Sequence, residues 1–134
     1  LMSNVSQAKP AMHSYDPERP PNAREWLALD EQMRIGLAEK FHRAARIKLP
    51  NATAHAVFHA IIENQIAEGH AAVVRAMARL AAEGLSRHDA LHAVSTVLAG
   101  HIHDVFNDKV STDNSNAVYS AAVERLTAKT WRDG

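Results

Sequence analysis

An all-α, single-domain bundle of about five helices is what this sequence predicts, and three observations predict it. Apolar residues recur at spacings of three and four from residue 23 onward. No stretch alternates apolar and polar as a half-buried strand would. The helical segments are joined by short links, which favour antiparallel neighbours. The 134 residues suit one domain and a core that needs no staples.

Residues 1–22 hold four of the five prolines, Pro10, Pro17, Pro20 and Pro21, and no periodic pattern survives there. They read as an extended arm, ordered only where it lies on the body formed by 23–134. Leu1 ahead of Met2 reads as a remnant before a natural start at Met2. In the first helix Trp26, Leu29, Met33, Leu37, Phe41 and Ala44 share one face. Asn22 with Glu25 suits its cap, and a start near Asp30 gives a helix over 30–48. The helix must end by Leu49, because Pro50 disfavours helical geometry in the residue before it.

The second helix is expected over 52–68, with Phe58, Ile61, Ile62 and Ile66 inside and Gly69 at its end. The third, over 70–83, turns Val73, Met77 and Leu80 inward and stops at Gly84, where a left-handed residue belongs. Ser86, with Asp89 three residues on, opens a fourth helix over 87–106 whose stripe is Leu91, Val94, Leu98 and Ile102. The run NDKVSTDNSN over 107–116 is a turn-forming loop. A last helix over 116–130 carries Val118, Ala122 and Leu126.

Composition narrows the function. Fifteen basic and fifteen acidic residues balance to zero, which argues against a generic nucleic-acid or anionic-membrane binder. With no cysteine, disulfides, thiolate zinc sites and cysteine nucleophiles are excluded. No apolar run approaches a membrane span, and the first residues lack a signal-peptide core. A soluble cytoplasmic protein is expected. No glycine-flanked serine and no phosphate loop point to a nucleophilic enzyme.

Nine histidines are many for this length, and four of them form two pairs. His55 with His59, and His88 with His92, each sit four apart and so share a helix face. Glu63 extends the first row by one turn. Both rows fall at the edge of their helix's apolar stripe. The pairs are offset by 33 positions, and Phe58, Ala60 and Ile61 match Leu91, Ala93 and Val94, but no familiar repeat signature is present. If the two helices face each other, His55, His59, Glu63, His88 and His92 surround a transition-metal ion such as zinc or iron. His88-Asp89-x-x-His92 differs by one residue from a zinc-protease motif, and that reading is rejected: Asp89 is short and serves the helix start. In the competing reading each imidazole bonds a backbone carbonyl or a carboxylate, and the chain is a metal-free interaction module. A pH-responsive switch on the same histidines is a third reading.

The remaining histidines carry less. His103 is a reserve ligand, His42 suits the negative end of the first helix, and His13 and His70 are expected in solvent. Arg43, Arg46 and Lys48 read as a solvated last turn. The Ala-rich third helix, with Val73, Met77 and Leu80 partly uncovered, leads to the expectation of a two-fold homodimer.

The pattern of His55, His59 and Gln65 followed by Arg87, His88, Asp89, His92 and Ala93 resembles a small uncharacterised bacterial domain-of-unknown-function family. Those proteins pair an H-x3-H helix ending in Glu and Gln with a later R-H-[DE]-x2-H-A helix. The resemblance covers about residues 27–105, with Glu63 offset by one position from the family's Glu. It implies an all-helical fold and no particular reaction.

Overall fold

Short polar side chains set where the helices begin. Asn22, Asp30, Asn51 and Ser86 each accept a hydrogen bond from the backbone N–H three residues on, at 2.8–3.1 Å. In a computed structural model that describes residues 12–46 and 51–134, these caps open α1 (Ala23–Ala28), α2 (Glu31–Ala44), α3 (Ala52–Ala67) and α5 (Arg87–Phe106). Between the last two lies α4 (Ala71–Ala82). After a 3-10 turn at Thr112–Asn114 come α6 (Ser115–Arg125) and α7 (Ala128–Asp133). The described residues are 74% helical and contain no strand. Residues 1–11 of the arm, Lys48 and the Leu49–Pro50 helix stop lie outside the described residues.

Two glycines do what their positions require. Gly69 and Gly84 have φ of +76° and +96°. After each, the next residue's N–H reaches back five positions, His70 to Gln65 and Leu85 to Leu80, at 2.8 and 3.0 Å. These closures satisfy the last carbonyls of α3 and α4 and reverse the chain.

Of the two starts expected for the first helix, Asp30 opens α2, and Asn22 opens the separate short helix α1. Asn22 and Asp30 both act as caps, and Leu29 is extended between them. The break resets the helical phase, so Met33 and Ala44 point to solvent rather than inward. The buried positions of α2 are Ala38 and His42 instead. The last helix also divides, at Leu126, where Thr127 and Thr130 cap each other at the start of α7. Tyr119 and Val123, not Val118, form the inner face of α6.

The helix α3 packs against α1 and α2 on one side and against α5 and α4 on the other. It therefore separates two apolar clusters. One holds Tyr15, Trp26, Ala38, Ala56 and Ala60. The other holds Ile62, Val73, Leu80, Leu91, Val94, Leu98, Tyr119 and Val123. Alanines facing alanines let α2 approach α3 closely, and that approach carries His42 toward His55 and His59. Phe41, Phe58, Ile61, Ile66, Met77 and Ile102 are partly buried at the cluster margins. Leu91 is 1% exposed in the larger cluster. Leu91→Ala should lower unfolding free energy by about 2–5 kcal/mol in urea titration; a loss below about 1 kcal/mol would show that this stripe is not core.

Of the α4 face expected to drive self-association, Val73 and Leu80 are buried against α5 and α6 and Met77 is partly buried. Among the described residues the exposed large apolar side chains are Leu27, Met33, Val74, Phe106 and Val118, each on a different helix. Among the described residues no helix is long and apolar enough to cross a membrane.

Candidate metal centre

The two H-x3-H rows face each other across α3 and α5. The Nε2 atoms of His55, His59 and His92 form a triangle with edges of 3.1, 3.3 and 3.0 Å. His88 stacks edge-on against His92, with ring centroids 4.3 Å apart. A fifth imidazole comes from α2: His42 lies 4.6 Å from His55 and 4.8 Å from His59, ring centre to ring centre. One ring nitrogen from each of His42, His55, His59, His88 and His92 lies within 4.8 Å of every other.

Glu63 does not join them. Its carboxylate takes two hydrogen bonds from the Arg87 guanidinium at 2.7 Å each, and one from the Tyr15 hydroxyl at 2.6 Å. The i, i+4 spacing put Glu63 on the histidine face, but Arg87 at the start of α5 claims it. His103 is exposed beside Asn107 and is not part of the cluster. His70 is half-buried against Tyr119 rather than solvated. Arg43 and Arg46 are exposed at the end of α2.

Two histidines escaped the expected roles. His42, expected only to suit the negative end of its helix, is buried in the cluster. His59 lies at 1% exposure, deeper than a core edge. The arm contributes what no periodicity could announce. Tyr15 is buried against Trp26 and Phe41. The Pro17 carbonyl accepts from Arg87 at 3.0 Å, and Glu18 accepts from the His88 backbone N–H at 3.2 Å.

The hydrogen bonds fix where the protons sit. Tyr15 has one proton and gives it to Glu63, so its oxygen accepts from His59 Nδ1–H, at 3.1 Å. That leaves the His59 Nε2 lone pair aimed into the cluster. His42 Nδ1 donates to the Ala38 carbonyl at 2.7 Å, so its Nε2 also keeps a lone pair. His42 Nε2 and His88 Nε2 are buried and have no hydrogen-bond partner.

Protons alone do not satisfy this arrangement. A neutral imidazole carries a single N–H. If one corner of the Nε2 triangle bears it, the other two lone pairs face each other. If two corners bear it, their hydrogens crowd the third. A cation uses all three lone pairs at once. Ligands about 2.0–2.1 Å from an ion lie about 3.0 Å apart at right angles and about 3.4 Å apart in a tetrahedron. The triangle's edges of 3.0–3.3 Å fall between these limits.

The electrostatics agree. Burial lowers His55 to about 4, helped by His92 and His42. Burial lowers His59 to about 2, with the four other imidazoles adding to it. His92 falls to about 4 by burial and the neighbouring His88, against an opposing pull from Asp89. His88 is lowered by burial and His42. These four are neutral at pH 7 and have lone pairs to give. Burial and the Glu63 charge raise the Tyr15 hydroxyl well above its ordinary value, so it stays a donor.

Nothing outside the chain adds to this geometry. Comparison with protein-family models, curated proteins and solved structures finds no match. The reading of the centre therefore rests on its own atoms. A cavity of about 230 Å³ opens beside it, with His55, His59 and His92 on one wall.

Proposed function

We propose that this chain binds one transition-metal ion through His42, His55, His59, His88 and His92. The observation that carries the reading is the convergence of five ring nitrogens within 4.8 Å of one another. Two of the imidazoles keep an unpartnered, buried Nε2. An all-nitrogen, uncharged ligand set suits late first-row ions such as zinc, iron or nickel. Five ligands exceed the four of a tetrahedral structural zinc site and leave one position of an octahedron open.

The outer groups have a defined part. Arg87 holds the Glu63 charge, Glu63 holds the Tyr15 proton, and Tyr15 orients His59. Such partners fix a ligand's tautomer and typically change metal affinity about 10–100-fold.

The test is elemental analysis and calorimetric titration of untagged, chelator-stripped protein. One ion per chain is expected. His59→Ala with His92→Ala should abolish uptake while circular dichroism retains the helix signal. Tyr15→Phe should keep the stoichiometry and weaken affinity about tenfold or more. Stripped protein that takes up no zinc, iron, cobalt or nickel would overturn the proposal and leave the metal-free module as the reading.

A further inference from the structure

The charge around the five histidines is as specific as their geometry. All five are uncharged ligands, and among the described residues no carboxylate stands with them. A carboxylate can also act on an ion indirectly, by accepting the outer N–H of a ligand imidazole and pushing negative charge onto the ring. That route is blocked at both rings whose outer hydrogen bond is made. His59 Nδ1–H donates to the Tyr15 oxygen at 3.1 Å, and Tyr15 donates to Glu63 at 2.6 Å. A neutral phenol thus stands between the ligand and the one buried carboxylate. His42 Nδ1–H donates to the Ala38 carbonyl at 2.7 Å. Among the described residues the carboxylate paired with an imidazole is Asp104, with His103, outside the cluster.

The charges farther out do not make up the difference. Glu63 is met by Arg87 through two hydrogen bonds of 2.7 Å. Glu18 faces His88, and Asp89 faces His88 and His92, but both carboxylates are exposed and water screens them. No Asp, Glu, Lys or Arg lines the cavity at His55, His59 and His92. An ion in this place keeps nearly its full charge. The cost of taking an ion out of water grows with the square of its charge, so a third positive charge costs more here than the second.

We infer that the centre selects the divalent over the trivalent state of its ion, so that with iron it is a high-potential centre that takes up one electron and holds iron(II). This rests on the metal-binding reading above and goes beyond it, because that reading fixes the ligands and not the oxidation state. In the step, iron(III) gains one electron from an outside one-electron donor and becomes iron(II). No ligand bond is made or broken, and no proton leaves the chain. His55 and His92, partly buried at the cavity wall, offer the ring edges through which the electron arrives.

The full chain, stripped and then loaded with iron(II) without oxygen, makes the test direct. Iron(III) is read by its electron paramagnetic resonance signal, ferricyanide is the oxidant and ascorbate the one-electron donor. Oxidised protein should return to iron(II) on adding ascorbate, with iron(II) in excess by at least about tenfold. A redox titration gives the midpoint potential. Ser95 is partly buried at the cavity, three residues after His92 on α5. Ser95→Asp sets a carboxylate beside the ion, and Ser95→Asn gives nearly the same shape without charge. The aspartate should lower the midpoint by at least about 59 mV, tenfold in the ratio of iron(III) to iron(II), and the asparagine should hold that ratio within about twofold. One iron per chain that ascorbate leaves as iron(III) would overturn the charge selection and leave the metal site standing. Equal midpoints in Ser95→Asp and Ser95→Asn would overturn the missing negative charge as its cause. A chain that takes up zinc but not iron(II) would also overturn this proposal, and one that takes up neither would fail the metal reading together with it.

Discussion

Replacing Arg87 with methionine should lower the unfolding free energy by about 3–5 kcal/mol, the usual penalty for leaving a buried charge without its partner. Glu63 is 1% exposed, and two of its three hydrogen bonds come from that guanidinium. Burial works against the Arg87 charge, but the Glu63 hydrogen bonds and charge outweigh it and raise its pKa further. The Glu63 carboxylate thus holds the Arg87 charge in the interior. Removing Arg87 leaves Glu63 to Tyr15 alone and also frees the Pro17 carbonyl that ties the arm down. Urea titration of Arg87→Met, Glu63→Leu and the double variant gives the coupling. The double variant should be markedly more stable than Arg87→Met, because two apolar side chains often replace a buried ion pair at little cost. A loss under about 1 kcal/mol for Arg87→Met would show that water reaches Glu63 and that the pair does not organise the arm.

The fold was legible because its signals are local. Cap residues, left-handed glycines and the stripe Leu91, Val94, Leu98 act within one turn or one helix, and the chain displays them in order. The last helix was misread as continuous for the same reason, and the first was legible only as a choice between starts at Asn22 and Asp30. Asn22 and Asp30 are both good caps eight residues apart, and periodicity bridges the break at Leu29 without registering it. The histidine pairs were equally visible, since i, i+4 spacing belongs to a single helix. His42 and Tyr15 were not. His42 reaches the cluster only because Ala38, Ala56 and Ala60 bring α2 against α3, a fact about two helices at once. Tyr15 arrives from a segment with no regular structure, 44 residues from the ring it touches. Glu63 shows the limit of spacing from the other side. It lies in the right row, but its partner was decided by Arg87, whose own row gave no hint of a buried pair.

Acid should unfold the metal-free protein well above the pH at which carboxylates alone would do so, and a bound ion should move that transition down. His55 and His92 titrate near 4 in the folded chain, and His59 lower still, whereas an unfolded histidine titrates near about 6.5. Between those values the unfolded chain binds more protons than the folded one. Stability therefore rises with pH across that interval and falls as pH drops from about 6.5 toward 4. Above about pH 7 the imidazoles are neutral in both states and contribute no slope. Each proton taken up on unfolding adds at most about 1.4 kcal/mol per pH unit. His55 and His92 are only partly buried, so solvent screening keeps their share below that limit. Even a fraction of it from several imidazoles is large against the roughly 5–15 kcal/mol that holds a domain together. Circular dichroism against pH, with and without stoichiometric nickel, checks this directly. The metal-free midpoint should lie between about pH 4 and 6. Nickel held as proposed would need the deprotonated rings and the folded cluster, so it should lower the midpoint, and chelator should restore it. Substituting glutamine for His55 and His92 together should lower the metal-free midpoint as well, because two of the groups that take up protons on unfolding are gone. A metal-free midpoint that does not move in that variant would show that the acid transition belongs to the carboxylates and that the imidazoles are already solvated in the folded chain.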